Sequence, residues 1–301
     1  MDTGAIFRGT AEAVFLAPIS RIQILLQTQD VIPTLKHGKS MNGVLDCFSR
    51  IKNEEGFRAL WRGAAPLIFI EIIKNVAQTI QSGRYKEIYS ELTEQRKPNP
   101  NNPNNRDLVS VEYKKTVTVK QLDPSENPLA APGIPLVAFN LASAMIVYPF
   151  MVLRTRIGAD YGRRSQRQYP NMFQATKNLV NAGGIQALYK GFTPFLVFTL
   201  LNDIVYKHYV ASQGNVNTSF LLHFVNDLAL FPLIVLSNRL MMQTGNPSIK
   251  YKGLVECCQK TFKEFGVKGF YQGFQINAFI FGVAGSIFLL NSFTEKRQEG
   301  Q

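Results

Sequence analysis

Apolar residues recur along this chain at helical spacing, in long stretches separated by shorter amphipathic ones. Three long stretches, 5–27, 134–158 and 220–242, each carry an internal proline: Pro18, Pro149 and Pro232. Each is followed by a short amphipathic segment and then a second apolar helix, over 64–89, 192–212 and 274–293. No run reaches 18 uninterrupted apolar residues. Hydropathy alone therefore does not settle the membrane question, since a bundle around a polar cavity needs only an apolar outer stripe on each helix.

The amphipathic segments reveal an internal repeat. They begin at Gly43-Val-Leu-Asp-Cys-Phe, Asn171-Met-Phe-Gln-Ala-Thr and Gly253-Leu-Val-Glu-Cys-Cys. They end at Trp61-Arg62-Gly63, Tyr189-Lys190-Gly191 and Tyr271-Gln272-Gly273. The distance from first residue to closing glycine is 20 in all three, and the proline-to-glycine intervals are 45, 42 and 41. Each unit thus reads as a proline-bent helix, a short amphipathic helix, and a second long helix opening at an aromatic-polar-glycine step. Proline frees a carbonyl and bends the rod, so three equivalent bends draw three helices together at one end. The glycine opens the next helix with bare N–H groups, a seat for a lipid phosphate.

Charge then supports a topology. The chain carries +12, and Arg50, Lys52, Arg62, Arg163, Arg164, Arg167, Lys177, Lys190, Lys260 and Lys263 all fall on the side of the short helices. That positive-inside bias accounts for much of the surplus without nucleic acid, which is not expected as a partner. The three cysteines, Cys47, Cys257 and Cys258, form no disulfide or zinc framework. The three histidines are scattered, so no metal and no catalytic constellation is expected. No Arg-rich presequence precedes the first apolar segment, so any targeting signal is expected to be internal.

These features resemble the mitochondrial carrier family over nearly the whole chain. Pro18-Ile-Ser-Arg-Ile-Gln-Ile-Leu-Leu-Gln27 and Tyr148-Pro-Phe-Met-Val-Leu-Arg-Thr-Arg156 resemble ADP/ATP carrier signatures. Ser237-Asn-Arg-Leu-Met-Met242 stands where that subfamily has three arginines and three methionines. The resemblance implies an all-α membrane protein of six transmembrane helices in three pseudo-threefold repeats with short matrix helices. The repeats are expected at 1–92, 132–214 and 215–301, with an inserted loop at 93–131.

The resemblance also exposes what is missing. The family's matrix gate needs an acid two places after each proline and a base three places further on. Those places hold Ser20, Met151 and Ile234, and Gln23, Arg154 and Ser237. One charge of six remains. Arg154 is expected to bond backbone carbonyls or reach toward the interface, and Gln27 to be structural. The second gate, 20 and 23 residues past each glycine, falls on Gly83 and Lys86, Ala211 and Gly214, and Phe293 and Lys296, without an acid. The nucleotide seat falls on Ala13, Ile70, Asp203 and Ile280. Glu71 lies nearby, and Lys74 is placed to pair with it at i, i+3. A nucleotide's charges cannot be buried without cations. Trp61, Arg62, Gly63, Lys190, Gly191 and Gly273 are the family-type candidates for binding cardiolipin; no other cofactor is implied.

The insertion opens with the polar tract Arg96-Lys-Pro-Asn-Pro-Asn-Asn-Pro-Asn-Asn105 and continues with β-branched residues from Val109 to Val119. The first part cannot form a core, and the second is strand-like and suited to docking by edge pairing. Intact packing beside erased gates points to a transport-inactive structural subunit of a large inner-membrane complex, such as a respiratory-chain or ATP-synthase assembly. The alternative is a functional antiporter of ADP/ATP, another nucleotide or a small solute, with non-standard gates.

Overall fold

The computed structural model describes residues 3–32, 35, 40–77, 134–163, 165, 167–211, 216–244, 251–283 and 285–286. The inserted segment 93–131 lies outside them, as do Gly83, Lys86, Gly214, Phe293 and Lys296 of the second gate. The described residues contain the threefold unit that the sequence predicts. Repeat 1 holds α1 (Thr3–Thr28), α2 (Val44–Arg50) and α3 (64–77). Repeat 2 holds α4 (Ile134–Ala159), α5 (Met172–Gly183) and α6 (Phe192–Ala211). Repeat 3 holds α7 (Val216–Met241), α8 (Leu254–Phe265) and α9 (Phe274–Val283).

Pro18, Pro149 and Pro232 lie inside α1, α4 and α7, and these three helices meet one another pairwise. Two segments, Phe7–Val31 and Leu222–Met241, are long and apolar enough by themselves to cross a bilayer. At 25 residues the first extends about 37 Å, against a hydrocarbon core of about 30 Å. The second half of repeat 2 leaves α5 at 110°, so the short helix lies across the direction of the long one. The short helices start by related means. Asn171 Oδ1 accepts from the Gln174 N–H in α5, whereas Asp46 and Glu256 accept from the N–H groups of Asn42 and Lys252 ahead of α2 and α8. Each short helix leads into a 3₁₀ turn: Phe57–Trp61, Ile185–Tyr189 and Val267–Tyr271.

The short helices also share an apolar outer position. Leu45, Phe173 and Val255 occupy the same register in the three repeats, and all are exposed. That is the expected arrangement for helices resting on a membrane surface.

After each 3₁₀ turn comes a glycine in the left-handed region: Gly63, Gly191 and Gly273, at φ +87°, +82° and +81°. Their surroundings give the ring its closure. A Cβ on Gly63 would lie 3.2 Å from the carbonyl oxygen of Arg154 in α4, and one on Gly191 would lie 2.7 Å from that of Ser237 in α7. One on Gly273 would lie 3.3 Å from that of Gln23 in α1. Each repeat's glycine therefore seats on the following repeat's proline helix, five residues past the proline, and repeat 3 returns to repeat 1.

Candidate functional site

The residues five past the prolines are the positions where the resemblance implies gate bases, so the glycine seams place the candidate site there. The geometry there corrects the expectation for Arg154. Its guanidinium bonds neither a carbonyl nor the interface: both Nε, at 2.9 Å, and Nη2 donate to Ser20 Oγ on α1. Ser20 stands where the resemblance implies an acid in repeat 1, and the contact found there is a charge-assisted hydrogen bond, not an ion pair.

The other gate positions have turned to the seams. Gln23 Nε2 donates to Asn277 Oδ1 on α9 at 2.8 Å. Ser237 Oγ donates to the Gly191 carbonyl at 2.9 Å and lies 3.4 Å from the Tyr148 hydroxyl, which in turn donates to the Lys190 carbonyl. Met151 and Ile234, in former acid positions, pack against the apolar core around Tyr148 and Val152. Below them, Thr155 Oγ1 donates to Asn238 Oδ1, and Asn238 Nδ2 donates to Gln27 Oε1. This neutral chain joins α4, α7 and α1, and gives Gln27 the structural role expected of it. A cavity of about 60 Å³ lies among Gln23, Gln27, Arg154, Ser237 and Asn238.

Sequence reading missed a set of ion pairs one layer further out. Arg21 on α1 meets Glu55 at 2.9 Å with both side chains fully buried, and Glu55 also receives Arg167 at 3.3 Å and the Gly162 N–H. Arg62 meets Asp160 at 2.8 Å, and Arg239 meets Asp30 at 3.0 Å while also donating to Gln272 and Thr261. Arg156 donates to the Thr244 carbonyl. Glu55, Arg167, Arg62 and Asp160 tie the short-helix segment of repeat 1 to the loop of repeat 2. The available signal was the arginines in the C-terminal halves of the proline helices: Arg21 in α1, Arg154 and Arg156 in α4, and Arg239 in α7.

The positions where the resemblance implies a nucleotide seat are apolar packing on one side. Ala13 and Ile70 are each 2% exposed, while Ile280 is exposed. Lys74 pairs with Glu71 at 3.2 Å, as its spacing predicts. Asp203 lies in α6 and Ala211 ends it; their side chains lie outside the described set. Two lipid candidates are already engaged: Trp61 Nε1 donates to the Val14 carbonyl, and Arg62 is held by Asp160 and the Tyr169 carbonyl. Burial lowers the Arg62 pKa, against the opposing pull of Asp160. Lys190 is exposed beside Gly191. Gly273 lines a second cavity, of about 310 Å³, with Gly43, Met41, Lys268 and Gln272.

With this geometry in place, the comparisons with known proteins are specific. The family model described as "Mitochondrial carrier protein" matches residues 3–92, 137–208 and 213–296. An ADP,ATP carrier protein of Parachlorella kessleri is 26% identical over 321 residues, covering 95% of this chain and 81% of the relative. ADP/ATP translocase 4 of Mus musculus is 27% identical over 94% of this chain and 85% of its own length. ADP/ATP translocase 3 of Bos taurus is 26% identical over 91% and 89%.

Proposed function

Because the chain belongs to the mitochondrial carrier family, we propose that it is an inner-membrane protein of mitochondria that has given up ADP/ATP exchange. In this reading it serves as a structural subunit of a large membrane complex, of the respiratory-chain or ATP-synthase kind. The observation that carries the proposal is the state of the six gate positions. Gln23 and Ser237 bond the helix seams, Met151 and Ile234 are apolar packing, and Arg154 faces a serine. A gate that cycles needs contacts released and remade in alternate states. These contacts belong to the same seams that hold the ring together, so breaking them loosens the fold.

The nucleotide seat supports the same reading. Burying several phosphate charges without matching cations costs far more than hydrogen bonds return. At the family's seat positions this chain has Ala13, Ile70, Asp203 and Ile280, and Lys74 is held by Glu71. Cardiolipin is proposed at the exposed Lys190–Gly191 step and in the cavity between Gly43 and Gly273. Segment 93–131 is proposed to reach neighbouring subunits.

A second reading, a carrier of another solute with neutral gates, is favoured by the surviving Arg154–Ser20 contact between α1 and α4. Native electrophoresis of gently extracted membranes separates the two. The structural reading expects migration in an assembly many times the 33.8 kDa of the chain. A free monomer that exchanges labelled nucleotide or another solute in liposomes overturns it.

A further inference from the structure

Arg154 is a cation at the closed end of the ring with no carboxylate against it. Among the described residues its hydrogen bonds both run to one neutral hydroxyl, Ser20 Oγ. Among the described residues, the carboxylate whose field reaches it is Glu71, already bonded to Lys74 at 3.2 Å. A guanidinium partly withdrawn from water without a counter-charge is unfavourable unless something supplies one.

The cavity beside Arg154 is also lined by a residue with an unsatisfied donor. Gln27 is 1% exposed, and its Nε2 has no hydrogen-bond partner among the described residues. Thr155 Oγ1 bonds Asn238 Oδ1 at 3.3 Å, and Asn238 Nδ2 donates to Gln27 Oε1. Gln27, whose Nε2 is left without a partner, lines the same cavity as Arg154. At about 60 Å³ the cavity holds several water-sized spheres. It thus combines a positive charge, a buried orphan donor and room for a small guest, with no acid on its lining.

We infer that this cavity is a binding site for a small monovalent inorganic anion, chloride in type, held by Arg154 and Gln27. The anion occupies the electrostatic place of the carboxylates absent at Ser20, Met151 and Ile234. It turns the lone arginine into a neutral pair at the junction of α1, α4 and α7. The site exists whether the ring is a static support or still moves solute. It differs from a nucleotide seat in its depth, its volume and its single charge.

The test uses the full chain purified in detergent, with thermal unfolding followed in sodium chloride and in sodium gluconate at equal ionic strength. Chloride is expected to raise Tm saturably, by about 2–5 °C. Arg154→Gln should abolish that response, and Lys74→Gln should keep it. Ser20→Glu, which brings a carboxylate to Arg154, should remove the chloride dependence while holding Tm at or above its chloride value. In crystals grown in bromide, the anomalous peak is expected against the Arg154 guanidinium, which decides the matter even if a variant fails to fold. Equal Tm in the two salts, a chloride response surviving in Arg154→Gln, or no bromide at Arg154 overturns the site and leaves water as the guest.

Discussion

Gly191→Ala tests the seams on which the ring is built. The added Cβ would lie 2.7 Å from the Ser237 carbonyl oxygen, 3.0 Å from the Tyr148 hydroxyl and 3.1 Å from Leu240 Cβ. None of these can swing aside cheaply. The first is helix backbone, the second is a fully buried ring bonded to the Lys190 carbonyl, and the third is the root of a side chain. Left-handed backbone at φ +82° adds roughly 1–2 kcal/mol for an L-residue, and forced overpacking typically adds about 1–3 kcal/mol. The sum, about 2–5 kcal/mol, corresponds to a drop in Tm of roughly 4–10 °C for a chain of this size. Gly184 supplies the control: it has φ +66° and nothing within 4 Å of an added Cβ. Gly184→Ala should therefore show the backbone cost alone, about 2–4 °C. The assay is thermal unfolding in detergent, with the two variants side by side. If Gly191→Ala falls no further than Gly184→Ala, the close seam between α7 and the start of α6 is wrong, and the threefold closure with it.

Other consequences are measurable by the same means. Glu55→Gln strands Arg21 and Arg167 around a buried neutral group and should cost about 3–5 kcal/mol, whereas Asp46→Asn, at a partly exposed pair, should change Tm little. Burial pushes the thiols of Cys47 and Cys257 up to about 12 and about 11, from an ordinary 9.0. Maleimide should accordingly label the less buried Cys258 first and reach the other two on unfolding, as read by mass spectrometry. The same shifts set a pH trend. The unfolded chain gives up these protons from about pH 9 while the folded one keeps them, so their contribution is whole below pH 9 and is lost as pH rises toward 12. Acids placed together at Ser20 and Met151 should not create nucleotide exchange in liposomes, because Ala13, Ile70 and Ile280 still offer no cation; robust exchange would refute that account of the seat.

The repeating unit was legible because proline and glycine act locally. Pro18, Pro149 and Pro232 bend their own helices, and the glycine steps open the next ones, so both leave a periodic mark. The predicted 5–27, 134–158 and 220–242 correspond to Thr3–Thr28, Ile134–Ala159 and Val216–Met241. The site was less legible. Arg21, Arg62 and Arg239 find acids 34, 98 and 209 residues away, and these acids do not recur at one register, so internal repetition could not reveal them. The glycine seats press on carbonyl oxygens, which every residue has and no sequence displays. Arg154 was misread because its position was judged as half of an ion pair. A serine hydroxyl also accepts from the guanidinium, but gives no charge signal along the chain.

The head-to-tail order of the glycine seats has a consequence for chain connectivity. Unit one rests on two, two on three and three on one, so no seat depends on which unit comes first along the polypeptide. A permuted gene that starts at the second unit and ends with the first would encode all three seats, whereas deleting any unit would remove two of them at once.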